Sequence, residues 1–128
     1  MAYAVDDSRW PVVTVRPTEL VNDIAALDGT YRALELLLAR RQRFRVLLDL
    51  RGGASSPRRR QRFLDWGKRH AIDLTSYLAA IAIVVGTSFE RGIVTAVTWM
   101  YAPPWALRVF SDRAEAETWL ASEPGPRG

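Results

Sequence analysis

The chain has 128 residues and a formal net charge of +4, and this length is typical of one domain with one hydrophobic core. Its 48% hydrophobic and 25% charged residues are ordinary for a globular protein. Cysteine is absent from the sequence, which excludes disulfides, thiolate metal sites and cysteine nucleophiles. No apolar stretch is long enough for a membrane helix and the first residues show no signal-peptide pattern, so we expect a cytoplasmic location.

The first third of the chain predicts a hairpin followed by a helix. Residues 3–5 and 12–16 alternate or are β-branched, and the turn-like residues 6–9 separate them. Thr18 is in position to cap the helix, and apolar residues then recur at spacings of three and four between positions 24 and 38.

The middle of the chain predicts a buried strand and a second helix. The nearly continuous apolar run at 44–50 is typical of a central strand of a parallel sheet. The helix is expected to begin at Pro57, with Ser55 or Ser56 as its cap. Its inner face is predicted to carry Phe63, Gly67, His70, Leu74 and Leu78.

The last part predicts two more strands and two more helices. The strands are expected at 79–86 and 107–110, with a helix capped by Ser88 between them and a final helix capped by Ser111. The resulting order, β-β-α-β-α-β-α-β-α, predicts an α/β domain with a mixed, mostly parallel five-stranded sheet. We expect the domain to span residues 1–123 and residues 124–128 to form a flexible C-terminal tail.

The loop before the second predicted helix is a candidate anion or phosphorylation site. It follows a buried strand and leads into a helix N-terminus, and Ser55 and Ser56 supply hydroxyls. The nucleotide-binding patterns GxGxxG and GxxxxGK[ST] are absent from the sequence. The alternative is a glycine-containing turn with a serine–proline cap.

Basic residues are concentrated in and around this helix. Seven of the eighteen lie between Arg51 and His70, against one acidic residue, Asp65. Arginine and tryptophan are frequent interface hot spots, so the helix is a candidate surface for an acidic protein partner. The candidate partner-binding residues are Arg51, Arg58, Arg59, Arg62 and Arg69, with Trp66 as the anchor. No helix-turn-helix, RNP or zinc-finger pattern accompanies them, so we do not expect nucleic-acid binding; the alternative is a solvated helix face.

A second candidate surface surrounds the diproline at 103–104. The helix before it is apolar on two sides, which is typical of a helix buried in the core or against a partner. Arg91, Trp99, Tyr101 and Trp105 could form a homodimer surface or a ligand groove in which Arg91 meets an acidic head group.

The sequence predicts neither an enzyme nor a cofactor. The single histidine, His70, falls within an apolar helical stripe, as a core or boundary histidine does. No G-x-S-x-G pattern supplies a nucleophilic serine. The neighbouring acidic residues are expected in a turn at 6–7 and on an outer helix at 115–117, where they do not form a catalytic pair.

The element order and four motifs resemble the STAS domain, and more closely the bacterial SpoIIAA-like group described as STAS/SEC14-like. The motifs are WPVVTVRP at 10–17, FRVLLDLRGG at 44–53, FERGIVTAVTWM at 89–100 and LRVFSDRAEAETWL at 107–120. The resemblance implies one STAS-like domain with helices mainly on one face of the sheet and a non-enzymatic regulatory role. In STAS antagonists a partner kinase phosphorylates a serine at the place of Ser55 or Ser56, although GASSPR lacks the flanking aspartate and glycine of their motif.

Two functions follow from these observations. The first is a regulatory or scaffolding domain that docks a protein partner through the basic second helix and its preceding loop, as a homodimer or as a component of a complex. The alternative is a small-ligand or lipid carrier of the SEC14-like type.

Overall fold

The structure is a computed structural model that describes residues 1–52, 56–101 and 104–122, apart from the side chains of residues 97 and 99–101. Five strands and five helices lie in these ranges. In chain order they are β1 (Tyr3–Arg9), β2 (Val12–Pro17), α1 (Leu27–Ala39), β3 (Phe44–Asp49), α2 (Pro57–Arg69), α3 (Ala71–Tyr77), β4 (Leu78–Val84), α4 (Ser88–Tyr101), β5 (Ala106–Phe110) and α5 (Arg113–Ser122). Within these ranges no helix is long and apolar enough to cross a membrane. The predicted tail at 124–128 lies outside the described residues.

The strands form one sheet in the order β1-β2-β3-β4-β5. β1 is antiparallel to β2, and the other neighbouring pairs are parallel. Each parallel crossover advances to the next strand in the same direction, and such connections are right-handed, so α1 to α4 lie on one face. α5 packs against β3 and β4 on the other face. The predicted mixed α/β sheet, with helices mainly on one face, is confirmed.

The hairpin is longer than the sequence predicted, because residues 6–9 continue β1 instead of forming the turn. Asp6 pairs with Thr14 across the ladder, and the register shifts between Asp6 and Arg9. This shift interrupts the regular pairing of the ladder near the end of β1. The turn itself lies at Trp10 and Pro11, which are joined by a cis peptide bond.

The predicted start of the first helix was wrong. The Thr18 hydroxyl accepts a hydrogen bond from the backbone N–H of Leu20 at 3.1 Å and donates to the carbonyl of Met1 at 2.7 Å. Residues 18–26 form successive turns, and α1 begins only at Leu27. Thr18 therefore joins these turns to the start of the chain and does not cap α1.

The second predicted helix is divided in two at His70. This residue has φ −110° and ψ 18°, outside helical geometry, so α2 ends before it and α3 begins after it. The Ser56 hydroxyl accepts a hydrogen bond from the N–H of Arg59 at 3.2 Å, which confirms the cap of α2. At two other helices the caps differ from those predicted: the side chain of Thr87 accepts from the N–H of Glu90, and that of Asp112 from the N–H of Ala114.

The two faces of the sheet have separate apolar clusters. We call the face under α5 the closed face and the face toward α1–α4 the open face. The closed-face cluster consists of Leu47, Ala80, Ala82, Val84, Phe110, Ala116 and Leu120. The open-face cluster consists of Val13, Val15, Leu37, Leu38, Phe44, Val46, Trp66, Leu74 and Leu78.

Candidate functional site

A cavity of about 290 Å³ lies between the open face of the sheet and the helices above it. The strands supply its floor, and α1, α2, α3 and α4 supply its walls. The apolar lining includes Val15, Val46, Leu48, Ile81, Ile83 and Leu107 from the strands and Leu34, Leu64, Leu74, Ile93 and Val94 from the helices.

The cavity exists because α4 does not pack closely on the strands below it. α5 lies directly on β3 and β4, whereas α4 makes no comparably close packing with another element in the described part of the chain. Leu48, Ile81 and Leu107 on the floor are consequently only partly buried. Such a concave surface, predominantly apolar, is typical of a small-molecule binding site.

A few polar groups lie in the cavity wall near Tyr3. Thr30 ties α1 to β1 here: its hydroxyl accepts from the N–H of Tyr3 at 2.9 Å and donates to the Tyr3 carbonyl at 3.0 Å. Burial raises the pKa of Tyr3, and the charge and a side-chain hydrogen bond of Arg59 partly offset that rise. The guanidinium Nη1 of Arg59 is buried and has no hydrogen-bond partner among the residues that the structure describes.

Tyr31 and Trp66 form the wall between α1 and α2. Their rings stack with centroids 5.4 Å apart, and burial raises the pKa of Tyr31 to about 12. The Trp66 indole N–H donates to Glu35 Oε1 at 3.2 Å, and His70 Nε2 lies 3.1 Å from the same oxygen. Trp66, the predicted anchor, is only 5% exposed and packs in the core of the open face, so its ring is not presented at the surface. It faces inward because its stacking partner and its hydrogen-bond acceptor both lie on α1.

A second, polar cavity of about 370 Å³ lies on the outer side of this wall, between α1 and α2. It is lined by Asp28, Tyr31, Arg32, Glu35, Arg62, Asp65, Trp66 and Arg69. Arg62 forms an ion pair with Asp28 of α1, and Asp65 accepts a hydrogen bond from Gln61 at 2.8 Å. The charge of Arg62 is therefore already balanced within the protein.

The six predicted partner-binding residues do not form one surface. Arg58 and Arg69 are exposed on α2, as expected. Arg59, which was predicted with them, lines the apolar cavity. Only Arg58 and Arg69 therefore remain as exposed cations of this helix from the predicted set.

Arg51 forms an ion pair with Asp49 of β3. Its Nε and Nη2 donate to the two carboxylate oxygens of Asp49 at 3.0 and 2.9 Å, and its backbone N–H donates to Asp49 Oδ1 at 3.0 Å. Burial raises the pKa of Asp49, but the hydrogen bonds and charge of Arg51 outweigh burial and hold that pKa below its ordinary value. Arg51 thus stabilises a buried carboxylate at the end of the strand.

The remaining candidates are distributed differently from the prediction. Arg91 donates to the Ser111 hydroxyl at 3.1 Å and approaches the Val109 carbonyl at 3.5 Å, so it lies along the β5 end and does not line the apolar cavity. Trp105 does line the cavity. Ser55 and the side chains of Trp99 and Tyr101 lie outside the described residues.

Sequence reasoning missed Arg59 as a cavity residue, although a signal was present. The predicted inner stripe of the helix contained Phe63 and Gly67, and a step of four residues back from Phe63 reaches Arg59. Its charge led us to group it with the exposed arginines. In the described ranges no group of three or more histidine, aspartate or glutamate side chains is placed to hold a metal ion.

Comparisons with known proteins agree with this fold. A crystal structure of an uncharacterised protein of the DUF3478 family from Shewanella loihica PV-4, with a SpoIIAA-like fold, has a TM-score of 0.63 and 17% sequence identity, covering 93% of this chain and 92% of that chain. That identity shows the fold alone. No curated protein matches the sequence significantly. The family model SpoIIAA-like matches residues 12–121, so the chain belongs to the SpoIIAA-like family and has its STAS-like fold.

Proposed function

We propose that this protein is a non-enzymatic regulatory domain of the STAS type that binds a small, largely apolar ligand in the cavity on the open face. The observation that carries the proposal is the cavity itself: about 290 Å³ with a mainly aliphatic and aromatic lining. Ligand pockets occupy roughly 300–1,000 Å³, so this cavity has the size for a small ligand. Each Å² of apolar surface removed from water there contributes about 25 cal/mol to binding.

Two observations support a non-catalytic role. The single histidine, which would be the natural general base, lies against Trp66, with ring centroids 4.7 Å apart, and is not among the described residues that line the apolar cavity. Membership in the SpoIIAA-like family supports a regulatory domain. The cytoplasmic location expected from the sequence stays a prediction.

The ligand proposal is tested with a neutral apolar fluorophore, N-phenyl-1-naphthylamine, titrated into the folded protein. We expect saturable binding with one site per chain. Val94→Phe should weaken it at least tenfold, because Val94 lines the cavity and a larger ring fills it. The matched control is Thr95→Phe on the exposed side of the same helix, which should bind as the wild type does.

Two results would contradict the proposal. The wild type could show no saturable binding, or Val94→Phe could bind the fluorophore as tightly as Thr95→Phe. The first result removes the cavity as a binding site, and the second places the bound fluorophore elsewhere on the molecule.

A second candidate function is docking of an acidic protein partner through α2 and the loop before it. The observation that favours it is the exposure of Arg58 and Arg69 on one side of this helix. Ser56 lies at the start of α2, and a phosphate there would be close to the positive end of the helix dipole. In this proposal Ser55 or Ser56 is the modification site that controls docking.

The docking proposal is tested by charge reversal. The double variant Arg58→Glu, Arg69→Glu should lose a partner that the wild type retains from extracts of its own cells, and salt should weaken the wild-type complex. Arg9→Glu, an exposed arginine on β1, is the control and should retain the partner. Equal retention by both variants would mean that α2 is not the docking surface.

We also propose the homodimer expected from the sequence, with α4 at its interface. Phe89, at the start of α4, is 75% exposed, and an exposed aromatic side chain supports an interaction surface. Light scattering should give twice the mass of the chain, and Phe89→Glu should give the monomer mass. A monomer at micromolar wild-type concentrations would contradict this proposal.

A further inference from the structure

We infer that the ligand of the apolar cavity is a single-chain amphiphile with a carboxylate head group, bound with its carboxylate at Arg59 and its chain along the floor of the cavity. The inference rests on the proposed ligand-binding function and names the chemical class of that ligand.

The position of Arg59 in the cavity wall favours an anionic ligand. Arg59 belongs to the first turn of α2, lines the apolar cavity and has a buried Nη1 without a partner among the described residues. A buried N–H of a cation without an acceptor is unfavourable, because this N–H loses its hydration and makes no hydrogen bond in return. An anion brought in by the ligand would supply the missing acceptor.

The groups around Arg59 suit a carboxylate. The Tyr3 hydroxyl is adjacent, and burial raises its pKa, so it stays protonated and can donate a second hydrogen bond to an anion. Arg60 also lines the cavity, whereas Glu90 is the one carboxylate in its described lining. Glu90 Oε2 already accepts from the backbone N–H of Gly86 at 3.0 Å. The charge of the lining therefore favours an anionic head group over a cationic one.

The size and shape of the cavity select among anionic ligands. A carboxylate is the smallest anionic head group that matches the planar fork of a guanidinium. A volume of about 290 Å³ suits one chain of moderate length and not the two chains of a membrane lipid. Leu48, Ile81 and Ile83 on the floor would contact the chain.

The residue that would bind the head group differs from the one that the sequence suggested. Arg91 is bonded to Ser111 along β5 and does not line the apolar cavity. Arg59 lines that cavity and has the unmatched donor. Arg59 is thus the cation that would hold the head group.

The experiment compares decanoate with decanol, which has the same chain and no charge, by calorimetric titration. We expect wild type to bind decanoate at least tenfold more tightly than decanol. Arg59→Gln should weaken decanoate binding by about 10-fold to 100-fold, which corresponds to one charge-assisted hydrogen-bonded contact, and change decanol binding by less than about twofold. The matched control is Arg58→Gln, the exposed neighbour on α2, which should leave both affinities unchanged.

A second measurement does not depend on any variant. Decanoate labelled with ¹³C at its carboxyl carbon is titrated with acid in the presence of wild-type protein and followed by NMR. Burial in the cavity raises the pKa of the carboxyl and a neighbouring guanidinium lowers it. We expect the guanidinium to outweigh burial, as Arg51 does at Asp49, so the bound carboxyl should titrate below the free one. A bound carboxyl that titrates at or above the free value would overturn the inference, even if Arg59→Gln does not fold.

The remaining outcomes separate the inference from the function on which it rests. Equal binding of decanoate and decanol, with no effect of Arg59→Gln, would overturn the carboxylate inference and leave the apolar ligand site standing. Failure of both compounds to bind the wild type, together with failure of the neutral fluorophore, would overturn the proposed function as well.

Discussion

The two faces of the sheet are built from the same strands but packed in opposite ways. On the closed face Ala80, Ala82 and Val84 are fully buried beneath α5. On the open face the intervening residue Ile81 remains partly exposed beside a cavity. Adjacent residues of β4 thus belong either to a tightly packed core or to the floor of the cavity.

Side-chain size explains much of this difference. Small alanines on β4 and Ala116 on α5 let the helix approach the sheet closely. Larger residues such as Ile81, Ile83 and Leu107 hold the helices of the open face farther away and leave space between them. One face is therefore packed closely against a helix, while the other retains a cavity.

Truncation of Trp66 should have the largest effect on stability. It tests whether this residue belongs to the packed core of the open face. Trp66→Ala should reduce the free energy of unfolding by about 3–5 kcal/mol, because a large buried ring and its indole hydrogen bond are removed. Urea unfolding measures the loss, and Arg58→Ala on the exposed side of α2 is the control. A loss below about 1 kcal/mol would show that Trp66 is a surface residue after all.

Enlarging a residue on each face tests the difference in packing directly. Ala82→Leu on the closed face should cost about 1–3 kcal/mol, because Ala82 is fully buried and its neighbours cannot move without strain. Thr98→Leu, which extends into the cavity, should leave the free energy of unfolding within about 1 kcal/mol of the wild type. Thermal unfolding of both variants measures this, and equal losses would mean that the two faces are packed alike.

Removal of a helix cap on each face tests whether the destabilisation stays within one helix or affects the whole domain. Asp112→Ala and Ser56→Ala each remove a side chain that accepts a backbone N–H, at a cost of about 1 kcal/mol. On the closed face this cost should appear in global unfolding. On the open face, Ser56→Ala should also make amide hydrogen exchange faster in α2 alone. A change in exchange rate that is the same throughout the Ser56→Ala protein would contradict the difference between the two faces.

The smallest expected effect concerns the charges at the end of the closed face. The pKa of Asp49 is depressed by Arg51, so Asp49 contributes stability above the ordinary aspartate pKa of about 3.9, and this contribution is lost as the pH falls through the lower folded value. Arg51→Gln should cost up to about 1 kcal/mol at pH 7, since the Arg51 side chain is 43% exposed.

The pH dependence of the free energy of unfolding is the control for that prediction. Between pH 5 and pH 3 the wild type should lose more stability than Arg51→Gln, as measured by urea unfolding at each pH. An equal loss in both proteins would mean that Arg51 does not shift the titration of Asp49.

The local pattern of the sequence was enough to predict the order of strands and helices, apart from the division of the second helix at His70, and the mostly parallel pairing of the sheet. Apolar runs such as 44–50 mark buried strands, because a strand covered on both faces needs apolar residues at every position. Ser56 followed by proline marks the start of α2, because capping is decided within four residues of chain. The crossover rule then places the first helices on one face.

The tertiary structure alone decided which side chains reach the site. His70 interrupts the helix where its ring meets Glu35, a residue 35 positions away. Trp66 faces α1, and Arg59 faces the cavity. These placements depend on contacts between elements that are distant in sequence, and helical spacing records only which residues share a side of one helix. Composition could therefore show that α2 is basic, but only the packing of α1, α2 and the sheet decided which arginine lies inside.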